Sequence, residues 1–142
     1  MKHTRESIEQ FLRAFEHTRH PEEIGRLASC FAETFLVASP DGTRVVRAAD
    51  FALALPKRQK MFDAWGCQST KLASVRVTAL DGRYATAETK WLMSFAHGDG
   101  QLSDVLVGST FVLDTEGDCK ILFYLTHQDI ATVLRERGIL QA

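Results

Sequence analysis

A chain of 142 residues that is 45% hydrophobic and 25% charged has the size and mix of one globular domain with a substantial core. Its net charge is -1, with Lys and Arg scattered among acidic residues, so it carries no basic footprint for nucleic acid and gives no reason to expect a membrane partner. No apolar run approaches the ~20 residues that span a bilayer.

The N-terminus, Met-Lys-His-Thr-Arg-Glu, lacks the apolar stretch of a secretory signal and runs straight into a helical pattern. Thr4 is the expected cap, and Ile8, Phe11, Leu12 and Phe15 follow at helical spacing as one stripe. Pro21 suits the first turn of a second helix, with Glu22 and Glu23 complementing its positive end. Ile24, Leu27, Ala28 and Phe31 repeat the stripe, so the two helices can share a buried seam. Phe35 to Ser39 and Thr43 to Arg47 read as a hairpin around Pro40-Asp41-Gly42. Ala48 to Trp65 is helical again and stops at Gly66, while Pro56 inside it predicts a kink or two short helices.

From Lys71 onward the period changes to two. Val75, Val77 and Ala79 alternate with Arg76 and Thr78 before the Asp81-Gly82 turn. The next strand, about Tyr84 to Phe95, places Ala85, Ala87, Thr89, Trp91, Met93 and Phe95 on one face. After a turn at His97 to Gly100 comes a strand from Asp104 to Leu113 that is apolar on both faces, hence central. Lys120 to His127 is the last strand, with Ile121, Phe123, Leu125 and His127 in phase. A closing helix follows, capped by Thr126 or His127 and ended at Gly138. The three cysteines, Cys30, Cys67 and Cys119, are odd in number and far apart, as expected of reduced thiols in a cytoplasmic protein. Residues 1–142 read as one domain without repeat or linker.

Helices gathered first and antiparallel strands last define an α+β fold, one sheet covered on one side by helices. This order, the Phe35-to-Arg47 hairpin, the Ala48-to-Trp65 helix running at once into the meander, and the strand Tyr84-Ala85-Thr86-Ala87-Glu88-Thr89-Lys90-Trp91 after an Asp-Gly turn resemble the nuclear transport factor 2-like superfamily, in its SnoaL-like group. The resemblance runs from the first helix through Leu125, and the tail from His127 extends past the usual final strand. It implies a cone: a strongly bent mixed sheet whose concave side the helices close, often paired as a homodimer through the sheet. The superfamily includes isomerases, dehydratases, cyclases and binding modules without chemistry, so fold constrains function only weakly.

The resemblance also directs attention to acid–base pairs. Isomerases of this kind need a carboxylate base and an acidic donor such as Tyr, and neither Tyr84 nor Tyr124 can be matched to that pattern. Dehydratase-like and cyclase-like relatives use His with Asp. Here the candidates are His127, at the end of the last strand, with Asp63 or Asp104 as the pocket carboxylate; the plainer alternatives are a helix cap for His127 and surface charges for the aspartates. Trp65, Trp91, Met93 and Phe95 are candidates to line an apolar cavity, or equally to pack as core, and Tyr124 joins them as a possible ligand contact. Arg58, in Pro56-Lys57-Arg58-Gln59-Lys60, is a candidate to hold an anionic group at the cone entrance. His17-x-x-His20 lacks the further ligands a metal needs and reads as a solvated helix end. No cofactor is expected, nor any nucleic-acid or membrane partner. The leading expectation is a domain that binds a small apolar or aromatic molecule; an isomerase, dehydratase or cyclase using His127, and a protein-interaction module, are the alternatives.

Overall fold

Thr4 caps the first helix reciprocally: its Oγ1 accepts from the Ser7 N–H at 3.1 Å, and Ser7 Oγ accepts from the Thr4 N–H at 2.8 Å. The computed structural model describes residues 3–140. Helix α1 (Arg5–Leu12) tightens into a 3-10 turn (Arg13–Glu16), and α2 (Pro21–Ser29) begins with its proline in the first turn. Then come β1 (Phe31–Ser39), β2 (Gly42–Arg47), α3 (Ala48–Ala64), β3 (Cys67–Ala79), β4 (Tyr84–Ala96), β5 (Leu102–Asp114), β6 (Lys120–Thr126) and α4 (Ile130–Glu136).

The six strands form one mixed sheet in the order β2-β1-β6-β5-β4-β3. Only β1 and β6 run parallel, so the early hairpin joins the edge of the late meander. β5 lies between β4 and β6, as its apolar sequence predicts. Bulges bend the sheet: Gln68 and Ala73 in β3 and Leu122 in β6 each stand as an extra residue against the neighbouring strand. Each extra residue sharpens twist and reverses the in–out phase beyond it. Buried Leu72 and buried Val75 therefore share the inner face across Ala73, although strict alternation would separate them.

The concave side holds the core. Ile8, Leu12, Phe15 and Leu27 from the N-terminal helices, with Leu55 and Phe62 of α3, pack against Ala87, Trp91, Met93 and Phe95 of β4 and Val107, Phe111 and Leu113 of β5. The architecture is the α+β cone expected from the order of elements.

Several boundaries differ from the sequence reading. α3 is one continuous helix through Pro56; the proline is exposed, where water can serve the carbonyl that loses its partner. Phe31 belongs to β1 rather than to the second helical stripe, because α2 stops at Ser29. β3 begins at Cys67, directly after Gly66. Gly66 adopts φ +87, and a Cβ there would stand 2.5 Å from the Ala96 carbonyl oxygen, so only glycine permits this close turn onto β4. The last helix is capped at Asp129 rather than at Thr126 or His127.

Candidate functional site

Phe15, from the 3-10 turn, sits at the centre of the cone. Its ring lies 5.6 Å from Trp91, 5.4 Å from Phe111 and 5.6 Å from Tyr124. Tyr124 stacks on Phe111 with centroids 5.0 Å apart and planes 11° apart, which fixes its ring. Trp91 is held by its polar edge: its Nε1 donates to Thr89 Oγ1 at 2.7 Å, and that hydroxyl donates to the Ser109 carbonyl at 3.0 Å. Thr89 is buried, so both bonds form away from water.

Beside this cluster lies a small inner chamber of about 50 Å³, bounded by Phe15, Phe62, Trp91, Met93, Ser109 and Tyr124, with Arg58 and Gln128 at its neck. It adjoins an outer cleft of about 800 Å³ between α3, the β1–β2 hairpin and the β6–α4 junction. Arg58, Phe62, Tyr124, Thr126, Gln128 and Ile130 border both spaces. Val37, Phe51, Trp65 and Ile130 give the cleft apolar walls. Its rim carries Asp41, Arg44, Arg47, Asp50 and Asp129.

Arg58 stands at the junction of the two spaces. Its guanidinium lies 4.7 Å from the centroid of the Phe62 ring, and Trp65 packs edge-on to the same ring at 5.7 Å. Gln128 is tied down by its Oε1, which accepts from the Gly108 N–H at 2.8 Å, leaving its amide N–H groups uncommitted.

The structure therefore gathers Arg58, Trp65, Trp91, Met93 and Tyr124 around two adjoining spaces, Trp65 at the cleft, Trp91 and Met93 at the chamber, and Arg58 and Tyr124 at both. Phe95 shares the inward face of β4 with Trp91 and Met93 but is fully buried in the core and does not border either space. The three acid–base candidates are not brought together. His127 lies on the outer face of the sheet, with its Nε2 2.7 Å from Thr110 Oγ1 and its ring beside Lys90 over Gly108. The bulge at Leu122 accounts for this placement, because it puts Ile121 inside but Phe123, Leu125 and His127 outside. Asp104 is also outside, accepting from Ser94 Oγ at 2.6 Å. Asp63 is exposed on α3, 3.7 Å from Arg19 and bonded to Gln59 at 2.9 Å.

His17 pairs with Glu23 at 3.6 Å at the exposed end of the first helical segment. Among the described residues no group of three or more His, Cys, Asp or Glu side chains is placed to hold a metal. Burial pushes the thiols of Cys30 and Cys67 above their ordinary value and that of Cys119 up to about 11, so all three are poor nucleophiles.

Phe15, Phe62, Ser109 and Gln128 were not singled out as site residues in the sequence. Ser109 carried a signal, a small polar residue at an inward position of an otherwise apolar central strand. Gln128 carried none, because it follows the strand and reaches the chamber only through its bond to Gly108.

Comparison with solved structures places the architecture. An NTF2-like protein with a cystatin-like fold from Novosphingobium aromaticivorans superposes with a TM-score of 0.72 at 16% identity, covering 97% of this chain and 89% of that one. Aln2 from a Streptomyces species gives 0.70 at 14% identity, covering 94% and 98%. A protein from Catenulispora acidiphila in complex with S-DNPA gives 0.63 at 13% identity, covering 89% and 93%. No protein-family model matches the sequence, and no curated protein does. The chain has the nuclear transport factor 2-like fold.

Proposed function

We propose that this domain binds a small molecule with a flat apolar or aromatic body in the outer cleft, with one end entering the inner chamber. The observation that carries this reading is a cleft of about 800 Å³ walled by aromatic side chains and sharing six of its lining residues with a chamber of about 50 Å³. Ligand sites are typically concave, mostly apolar and furnished with a few convergent polar groups, and this space has that character. Size sets the orientation. A cavity of about 150 Å³ is what takes up a benzene ring, so the inner chamber admits only a ligand's tip and the ring must lie outside it. The Catenulispora protein in complex with S-DNPA makes a bound compound compatible with this scaffold.

Native mass spectrometry of protein purified gently from its own cells tests the reading. A reproducible adduct of a few hundred daltons, absent from an Ala54→Trp variant that fills the cleft, supports it. An adduct retained by that variant places the ligand elsewhere and refutes the proposal. Ala54 borders the cleft and is exposed, so the larger side chain occupies open space rather than core.

A further inference from the structure

Hydrogen-bond donors outnumber acceptors at the neck of the inner chamber. Arg58, Ser109, Tyr124 and the Gln128 amide all border it. Among the described residues none of their side-chain N–H or O–H groups is donated to a protein acceptor. The Gln128 oxygen is already used by Gly108. Thr18 and Thr126, which also border the chamber, are spent on Gln59 and on the Ala38 carbonyl. Among the described residues no side-chain polar atom sealed inside the protein lacks a partner, so each of the four free donors reaches accessible space: Arg58 and Tyr124 border the chamber and the cleft, and Ser109 and Gln128 border the chamber and the groove beside His127.

Charge points the same way. Among the described residues Arg58 is the one side chain of fixed charge bordering the chamber, and no carboxylate pairs with it. Asp41, Asp50 and Asp129 border the outer cleft and not the chamber, with Arg44 and Arg47 on the same rim. The Arg58 guanidinium sits 4.7 Å from the Phe62 ring centroid, and a guanidinium is the side chain whose planar fork can match a carboxylate with two parallel hydrogen bonds.

We propose that the ligand is a carboxylate, with its anionic head in the inner chamber against Arg58, Tyr124, Ser109 and Gln128 and its flat apolar body in the outer cleft. This rests on the cleft being a ligand site. An ionised carboxylate accepts and does not donate, so it can take hydrogen bonds from all four groups; the Arg58 guanidinium and the free Gln128 amide N–H groups can only donate, and the two hydroxyls can turn their O–H towards it. It also fits by size, because a water molecule's share of liquid volume is about 30 Å³ and the chamber holds a group little larger. The half-buried guanidinium gains a counter-charge, and the desolvated head gains several charge-assisted hydrogen bonds.

Isothermal titration with 2-naphthoate and its neutral isostere 2-naphthamide tests the proposal. The wild-type chain is expected to bind the carboxylate roughly tenfold or more tightly than the amide, the effect of a hydrogen-bonded charge. In Arg58→Met that ratio is expected to fall close to one. Tyr124→Phe keeps the stack on Phe111 and is expected to lower the ratio by about threefold, so a poorly folding Arg58 variant does not rescue the idea. Equal affinities in the wild type, or a ratio unchanged in both variants, overturns the carboxylate assignment while leaving the cleft as a binding site. Binding of neither compound overturns the site and the assignment together.

Discussion

Replacing Thr89 by Val is the sharpest probe of how the chamber is built. The two side chains have nearly the same shape, so the change removes a hydroxyl without opening a cavity. Two bonds are lost: the one received from Trp91 Nε1 at 2.7 Å and the one given to the Ser109 carbonyl at 3.0 Å. Thr89 is 3% exposed and Trp91 4%, so water cannot replace the partner of the indole N–H. An unsatisfied buried donor costs about 1–3 kcal/mol, and the added methyl recovers less than about 1 kcal/mol, leaving a net loss of about 2 kcal/mol. For a domain of this size that lowers Tm by about 6 °C. Thr89→Ser keeps the hydroxyl and loses one methyl, for about 1 kcal/mol. Urea denaturation followed by circular dichroism measures both. The decisive control is the double mutant with Trp91→Phe, which has no N–H to orphan, so Thr89→Val should cost about 1 kcal/mol less in that background. A valine variant no less stable than the serine variant, with no coupling to Trp91, would refute the claim that this hydroxyl holds the chamber wall in place.

Other consequences follow from the same geometry. Glu16 Oε2 accepts from the Leu72 N–H at 2.7 Å beside the Ala73 bulge and from Arg13 at 2.8 Å, so Glu16→Ala should cost about 1–3 kcal/mol in chemical denaturation. Gly66→Ala should cost more than about 2 kcal/mol, since φ +87 and a Cβ 2.5 Å from the Ala96 oxygen strain it twice; a loss under about 0.5 kcal/mol, the scatter of ordinary surface substitutions, would contradict the turn geometry. The Cys119 thiol, pushed by burial from 9.0 to about 11, ionises later in the folded chain than in the unfolded one. The unfolded state therefore loses that proton first, and stability should fall as pH rises from about 9 towards 11. A Cys119→Ala variant should show a shallower fall in that window, and identical slopes would remove Cys119 as the cause.

What the sequence disclosed depended on whether a feature was local. The alternating run from Ala85 to Phe95 showed the inner face of β4 directly, with Thr89 and Trp91 correctly in phase, because no bulge interrupts β4 against β5. β6 failed for the opposite reason. One extra residue at Leu122 reverses its phase, and nothing in Lys-Ile-Leu-Phe-Tyr-Leu-Thr marks where the reversal falls. That single bulge moves His127 from the expected pocket to the outer face and turns Tyr124 inward. Arg58, Trp65 and Tyr124 were legible as candidates, but the meeting of Arg58 and Tyr124 between the two spaces, with Trp65 on the wall of the outer cleft, depends on how α3 crosses the sheet, a non-local fact. Asp63 and Asp104 were placed by proximity to element ends, and each found a surface partner instead.

A two-dimensional amide NMR titration of the ¹⁵N-labelled wild-type chain with 2-naphthoate locates the ligand residue by residue. Perturbations are expected to concentrate at Phe51, Arg58, Phe62, Trp65, Trp91 and Tyr124, and to be small at Lys90, Thr110 and His127 on the outer face. Shifts centred on His127 and Lys90, or a spectrum unchanged at saturating ligand, would contradict the proposed site.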